Sequence, residues 1–370
     1  VARKPGVFPR NNVRAEKILC YAEPITPGEI FDSRGEENGD MSLCPILCQY
    51  GIDPLQIVSH DPVYKIFAQK GNYALKKIST DPARLIFFLA AMDYLWQRGF
   101  FRMSKLVKAL NGDLFTQSGT DLFFLTEWVE GRYINFSRRE ELEEAVRLLA
   151  DLHRLGEGFS PPEACVPRND IGRWPEKWRK RIADLETMSG LSESQADGFD
   201  IIFHRMCGIW LEDAYRALDI LESSGYRAYS GEQSQLKPLC HRDFVYHNII
   251  YTGQEGFLID FEYCVQDSRL TDLARFLRTN WRNHRWERDG VQEILSVYHG
   301  RYPLSPTEQR LLPAVLMFPH EVWRAGHRWY FSRQRKKSVY DDLSQQYQCH
   351  REKQELLNNF TRGFILPPRS

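Results

Sequence analysis

Two carboxylates and one amide in a single short stretch could do chemistry together. Asn248 follows Asp243 by five residues, and Asp260 comes twelve later, in the run LCHRDFVYHNIIYTGQEGFLIDFEY from Leu239 to Tyr263. Carboxylate and amide oxygens are hard ligands of the kind Mg²⁺ prefers. A carboxylate left free of the metal could orient a hydroxyl for attack on a phosphate. For that, the three side chains must share one place.

The elements between them predict that they do. Asn248–Tyr251 reads as a short strand, Thr252–Gly256 as a polar, Gly-containing turn, and Phe257–Asp260 as the returning strand. Such a hairpin puts Asn248 near the start of one strand and Asp260 near the end of the other. Asp243 then meets them at one mouth. Separately, a buried His and two helix-capping Asp residues would account for the same pieces. The ordered set with a hairpin between its halves is harder to explain that way.

Composition sets the outer bounds. The chain has 370 residues, 42% of them hydrophobic, with 49 basic and 49 acidic side chains. That is enough for two lobes with a sizeable core. Balanced charge provides no field for nucleic acid or an anionic membrane. The longest apolar run, Leu85–Met92, is too short to span a bilayer, and Val1–Lys17 has no apolar stretch of the signal-peptide kind. The eight cysteines are scattered, without Cys-x-x-Cys spacing, which fits buried thiols in a reducing compartment.

Along the chain, residues 1–40 mix Pro, Gly, Asn and charge without periodicity and read as a mobile arm. Three strand-like runs follow, Leu55–Ser59, Val63–Ala68 and Asn72–Ile78, the last two joined by a Gln69-Lys70-Gly71 turn. Pro82–Arg98 reads as a helix. A second hairpin turns at Ser118-Gly119. Ser137–Leu155 reads as an amphipathic helix, with Ser137 and Glu140 as a capping box. A Pro-rich loop, Gly158–Pro167, leads to two helices over Glu176–Met188 and Gly198–Ser223. Three or four more helices follow Arg275.

The stretch around Asp243 resembles the catalytic core of the protein-kinase-like phosphotransferases, in the aminoglycoside phosphotransferase and choline kinase branch. That pattern is His-x-Asp-x-x-x-x-Asn followed by Ile-Asp-Phe/Trp-Glu, and both parts stand here in order. The resemblance implies an α+β, two-lobed kinase-like fold: an N-lobe over 41–130 with a small antiparallel sheet, and a larger, mainly helical C-lobe over 131–370. It implies Asp243 as catalytic base, His241 as brace of the loop, Asn248 and Asp260 as Mg²⁺ ligands, and Asp272 as a structural support. The family usually has Gly where this chain has Arg242, as protein kinases do.

Tyr73-Ala74-Leu75-Lys76 resembles the kinase strand whose Lys grips nucleotide phosphates. Lys76 is therefore the expected phosphate ligand. Glu127-Trp128-Val129-Glu130 falls at the hinge, where backbone groups, here of Glu127 and Val129, bind adenine. Two features depart from the pattern. The turn Ser59-His60-Asp61-Pro62 has no Gly, and the helix Pro82–Arg98 contains no Glu to pair with Lys76. Asp93 is its one interior acid and stands in as the expected partner.

Further motifs, Glu127-Trp128-Val129-Glu130-Gly131-Arg132 and Gly172-Arg173-Trp174-Pro175 above all, resemble the kinase-like spore coat family that includes CotS and CotI. That resemblance covers about Met41–Phe360. It implies a protein of the mother-cell cytoplasm and then the spore coat, with ATP and Mg²⁺ as cofactors. Its partners would be a nucleotide, a hydroxyl-bearing acceptor and other coat proteins. Two functions fit: transfer of the γ-phosphate of Mg²⁺·ATP to that hydroxyl, or a structural coat protein that kept the fold without catalysis. The segment before the catalytic loop is where relatives build the acceptor pocket. Trp174, Trp178 and Trp210 would supply stacking faces there or pack as core, and their aromatic character points to a neutral acceptor.

Overall fold

The structure, a computed structural model, describes residues 41–60, 63–78, 80–194, 196–284 and 288–361. The arm expected over 1–40, and Asp61 and Pro62 of the first turn, lie outside the described residues. No helix among the described residues is long and apolar enough to cross a membrane.

The first described elements build an antiparallel sheet. Helix α1 (Cys44–Gln49) precedes strands β1 (Pro54–His60), β2 (Val63–Ala68) and β3 (Gly71–Ile78), then helix α2 (Pro82–Gln97) and strands β4 (Leu106–Val107), β5 (Thr116–Ser118) and β6 (Asp121–Glu127). The sheet runs β1-β2-β3-β6-β4, with β5 also pairing with β6. Strand side chains alternate between faces. One face carries Ile57, Ile66, Leu75, Phe123 and Leu125 and packs with Leu43, Ile46, Leu47 and Tyr50 in and beside α1. The other face sends Leu122 and Phe124 into the main core. Register decides where the two neighbouring lysines go. Lys76 lies opposite Phe124 and shares the inner face; Lys77 lies opposite Phe123 and shares the outer one.

Helix α2 is apolar almost all round. Asp81 caps it, its side chain accepting a hydrogen bond from the Ala83 N–H at 2.9 Å, and Pro82 opens the first turn. Its Leu85, Phe87, Leu89 and Ala91 are fully buried in the main core, where Phe87 meets Phe159 edge-on at 5.5 Å.

After β6 the chain crosses into the helical body through Gly131. Its φ is +153°, and a Cβ there would lie 2.6 Å from the Tyr251 carbonyl oxygen, so only glycine fits without a shift of backbone. The body comprises β7 (Arg132–Tyr133), α3 (Arg139–Leu155), α4 (Trp174–Ser192), α5 (Gly198–Ser223), α6 (Tyr226–Leu236), β8 (Leu239–Cys240), β9 (Ile249–Tyr251), β10 (Gly256–Leu258) and β11 (Val265–Gln266). Helices α7 (Leu270–His284), α8 (Arg288–Arg301), α9 (Pro306–Met317), α10 (His320–Gly326) and α11 (Lys337–Thr361) complete it.

The expected capping box at Ser137 and Glu140 does not form. Helix α3 starts at Arg139 with Arg138 as an uncapped N-cap residue. The Asn135 side chain takes the Ser137 N–H at 2.9 Å, and Glu141 accepts from the Asn135 N–H and from Arg132. A capping box does occur at the start of α9, between Ser305 and Glu308.

Candidate active site

The loop between β8 and β9 carries Asp243, and its shape is fixed from below. Asp272, fully buried in the first turn of α7, accepts from the His241 N–H at 2.6 Å and the Arg242 N–H at 2.8 Å. Burial alone would raise its pKa. The hydrogen bond from His153 and the two backbone N–H groups outweigh that and hold it below the usual carboxylate range. His153 lies 3.3 Å from Asp272 through Nε2 and 2.7 Å from the Tyr298 hydroxyl through Nδ1. It is a buried helix residue. His153, Cys240 and Asp272 place ligand atoms within 4.8 Å of one another. Each is already bonded to protein, Cys240 to the Asp267 carbonyl at 3.1 Å, so the trio fastens the loop.

His241 braces the same loop from within. Its Nε2 is 3.1 Å from the Ile259 carbonyl and its Nδ1 is 3.3 Å from the Asp243 N–H. One neutral tautomer satisfies both: Nε2–H donates and Nδ1 accepts. Burial lowers the pKa of this ring, keeping it neutral. Arg242 takes a left-handed backbone, φ 67°, a conformation that favours glycine. Its guanidinium compensates by holding Asp267 at 3.0 Å and Asp170 at 3.3 Å.

The hairpin register brings in Asn248 and Asp260. Asn248 ends a 3₁₀ turn, Tyr246–Asn248, directly before β9. Leu258 pairs with Ile249, and the Ile259 N–H donates to the Asn248 carbonyl at 2.9 Å, which leaves Asp260 next in line. The Asn248 Nδ2 donates to both the backbone carbonyl and Oδ2 of Asp243 at 2.9 Å. That leaves the amide oxygen as the atom free for a cation. Asp260 sits at φ 65°, a left-handed conformation that costs about 1 kcal/mol or more in a non-glycine residue and is concentrated at functional sites.

Lys76 reaches this cluster from the sheet. Its ammonium is 3.1 Å from Asp260 Oδ1 and also pairs with Glu262. Burial pulls its pKa down, but Asp260 and Glu262 outweigh burial and the net shift is upward, so it is charged. The expected partnership with Asp93 is corrected here. Asp93 turns to Lys108 at 2.9 Å and to Gln97 at 2.8 Å. Glu262, which the sequence motif contains but which was assigned no role, supplies the carboxylate instead. Helix α2 contributes packing against the Phe261–Tyr263 turn.

At the end of β6, Glu127 puts its side chain on Lys105 at 3.1 Å, and its N–H on the Lys105 carbonyl at 2.8 Å. The Trp128 N–H is bonded to the Asn72 carbonyl at 2.9 Å, whereas the Val129 N–H bonds to nothing among the described residues. Glu130 ties this segment back to the sheet through Lys65 and Asn72, both at 3.0 Å.

Two further features were missed by reading the sequence. Arg275, one turn beyond Asp272, pairs with Oδ1 of Asp243. Beside it opens a cavity of about 460 Å³ whose wall includes Arg242, Arg275 and Tyr246. Trp174, Trp178 and Trp210 do not line it. They are buried, Trp174 stacking on Tyr226 at 5.2 Å and Trp178 on Phe318 at 4.5 Å. The three tryptophans thus take the second of the two roles expected for them, packing as core.

Comparison with known proteins now bears on this geometry. The family model for the spore coat putative kinase YutH matches residues 45–360. The chain belongs to that family. It is similar to spore coat protein S of Bacillus subtilis, 22% identical over 74% of this chain and 78% of the relative. It is also similar to the endospore coat-associated protein YutH of the same organism, 23% identical over 80% of this chain and 85% of the relative. Among solved structures, an aminoglycoside phosphotransferase from Alicyclobacillus acidocaldarius superposes with a TM-score of 0.75 at 22% identity, covering 86% of this chain and 95% of that one. Spectinomycin phosphotransferase superposes at 0.59 with 14% identity, covering 88% and 99%. These likenesses establish the two-lobed kinase-like fold, with an antiparallel N-terminal sheet and a mostly helical C-terminal part. In this member of the spore coat putative kinase family, Lys76 meets Asp260 and Asn248 meets Asp243.

Proposed function

We propose that this protein transfers the γ-phosphate of Mg²⁺·ATP to a hydroxyl of an acceptor, in association with the spore coat. The observation that carries this reading is the meeting of Lys76 and Asp260, 184 positions apart in sequence, at 3.1 Å beside Asn248 and Asp243. Sheet and hairpin have no structural need to join a lysine to that aspartate. A phosphate-binding cleft does.

The donor set suits Mg²⁺: the Asn248 amide oxygen and the Asp260 carboxylate are hard oxygens on one rim. When bound there, the metal would neutralise charge on the phosphates. Lys76 would exchange part of its present pairing with Asp260 and Glu262 for phosphate oxygens. The Val129 N–H, bonded to nothing among the described residues, would meet adenine. Asp243 would accept the proton of the acceptor hydroxyl as its oxygen bonds to the γ-phosphorus. The bond from that phosphorus to the β-phosphate bridging oxygen would break, and ADP would leave with the electron pair. Asn248 positions the Asp243 carboxylate by holding Oδ2.

One contact favours the second reading, a structural coat protein without catalysis. Arg275 occupies Oδ1 of Asp243, where an acceptor hydroxyl would donate. Calorimetry with ATP, with and without Mg²⁺, separates the two. The phosphotransfer reading expects Mg²⁺-dependent binding that weakens in Asp260→Ala. It also expects Asp243→Asn to bind nucleotide like the parent but to lose turnover, including slow hydrolysis to water, by about 10²–10⁴. A parent that binds no nucleotide would leave the structural reading. Association with the spore coat is supported by the names of the relatives, residence in the mother cell before it is part of the same proposal, and a fluorescent fusion imaged through sporulation tests both.

A further inference from the structure

The cavity beside Asp243 has the wrong charge for a cationic or neutral acceptor. Its wall gathers Arg181 from α4, Arg275 and Arg278 from α7, Arg324 from α10 and Lys353 from α11, next to Arg242 of the catalytic loop. Glu321 is the single carboxylate among the described residues of the wall. Local pairs account for part of this charge: Arg242 is held by Asp267 and Asp170, Arg275 by Asp243, and Arg278 by Glu321 at 2.9 Å. Arg181, Arg324 and Lys353 have no carboxylate within salt-bridge reach among the described residues. Arg181 stacks on Trp323 and lies 2.7 Å from the His320 ring, and Lys353 donates to the Met317 carbonyl at 3.1 Å.

Holding these cations together costs stability. Burial, then the neighbouring Arg242 and Arg278, pull the Arg181 pKa down to about 10. Burial, then Arg181, Arg278 and Lys353, keep His320 well below its ordinary value, so the ring is neutral. Lys353 is also shifted down, by burial first. A fold gains nothing from concentrating like charges around an open concavity. An anion brought there would find charge-assisted donors, including guanidinium forks suited to carboxylate or phosphate.

We propose that this cavity is the acceptor site and that it takes a small acidic sugar, one bearing a carboxylate or a phosphate beside its hydroxyls. The proposal rests on the phosphotransfer reading above and adds the substrate class. A volume of about 460 Å³ suits a one- or two-ring ligand. Tyr246, 46% exposed, offers its ring at the edge. The chemistry also answers the Arg275 contact. An anion in the cavity competes with Asp243 for that guanidinium, and the competition frees Oδ1 of Asp243 for the acceptor hydroxyl. The sugar's own charge would thus uncover the base.

Ligand-observed NMR titration of the full chain tests this, with glucuronate, glucose 6-phosphate and glucose as probes and Mg²⁺·ADP present to fill the nucleotide cleft. One or both acidic sugars should bind at least about tenfold more tightly than glucose, and comparison of the two identifies the preferred anion. Exposed Arg324→Gln, which is expected to fold normally, and Lys353→Gln should each weaken acidic-sugar binding by about tenfold, the worth of one charge-assisted hydrogen bond at 1.4 kcal/mol. Neither should change affinity for Mg²⁺·ADP. Glucose binding as tightly as glucuronate and glucose 6-phosphate would overturn the proposal. So would Arg324→Gln and Lys353→Gln both binding like the parent, or a preference for an acidic serine peptide over every sugar. Acidic-sugar binding by a chain that binds no nucleotide would leave the anion site standing and refute the phosphotransfer reading alone.

Discussion

Replacing Asp272 by asparagine should do more damage than its near-identical shape suggests. The carboxylate presents one oxygen to the His241 N–H at 2.6 Å and the other to the Arg242 N–H at 2.8 Å, with no exposure to water. Asparagine has one oxygen to offer. Whichever way it turns, its NH₂ group faces a backbone N–H, and that donor is left buried and unpaired. Hydrogen bonds to a charged group are worth about 1.5–3 kcal/mol, and an orphaned buried donor costs about 1–3 kcal/mol. The expected loss in Asp272→Asn is about 3–5 kcal/mol, read as a shift in urea midpoint at unchanged slope. The pH dependence has a definite sign. The folded-state pKa of Asp272 lies below the ordinary aspartate value of 3.8, so its stabilisation is complete above that value and fades as pH falls through the folded one. The parent should therefore lose stability relative to the variant in that acid range, while the gap stays constant near neutrality. Hydrogen exchange adds a local readout, since the His241 and Arg242 amides should lose protection first. A loss below about 1 kcal/mol, with protection of those amides intact, would mean the loop is held by something other than Asp272.

The remaining expectations follow from register and charge. Lys76→Ala should lower affinity for Mg²⁺·ATP in calorimetry, whereas Lys77→Ala, on the opposite sheet face and paired with Asp121 at 2.7 Å, should leave it unchanged; equal losses would mean that the strand register is wrong. Burial pushes the Glu321 pKa up, but Arg278, Lys353 and Arg324 together bring it down to about 2. Its stabilisation is thus complete above the ordinary glutamate value of 4.5 and is lost as pH falls toward about 2. Glu321→Gln should flatten that acid limb of urea stability by up to about 3 kcal/mol, and an unchanged limb would contradict it.

What could be read from the sequence was what local geometry decides. Asp243, Asn248 and Asp260 are joined by a loop and one hairpin, so the turn residues and strand lengths already bring them to one mouth. Lys76 was picked out by the resemblance of Tyr73-Ala74-Leu75-Lys76 to the kinase strand, and the register puts it on the sheet face opposite to Lys77. The family and the two-lobed fold came with these motifs. Where the reading failed, the deciding contact was one that motif spacing does not show. Asp93 was chosen for its place in the helix after Lys76, yet that helix turns it to Lys108; the carboxylate that meets Lys76 belongs to Glu262, two residues beyond Asp260 in the same turn. An acid at that position was the available signal. Ser137 and Glu140 have the spacing of a capping box, but Arg132 and the Asn135 N–H capture Glu141 and set the helix start later. Trp174, Trp178 and Trp210 are large enough to serve as core or as binding faces, and only packing could decide between those roles. The cationic cavity was least visible of all. Its charges come from four helices and the catalytic loop, spread between Arg181 and Lys353, in a chain whose 49 basic and 49 acidic residues cancel. Net charge averages over the surface, whereas an acceptor meets the local wall. The balance that argued against nucleic acid therefore said nothing about the ligand of a 460 Å³ concavity, and substrate charge in this family has to be sought in the spatial neighbours of Asp243.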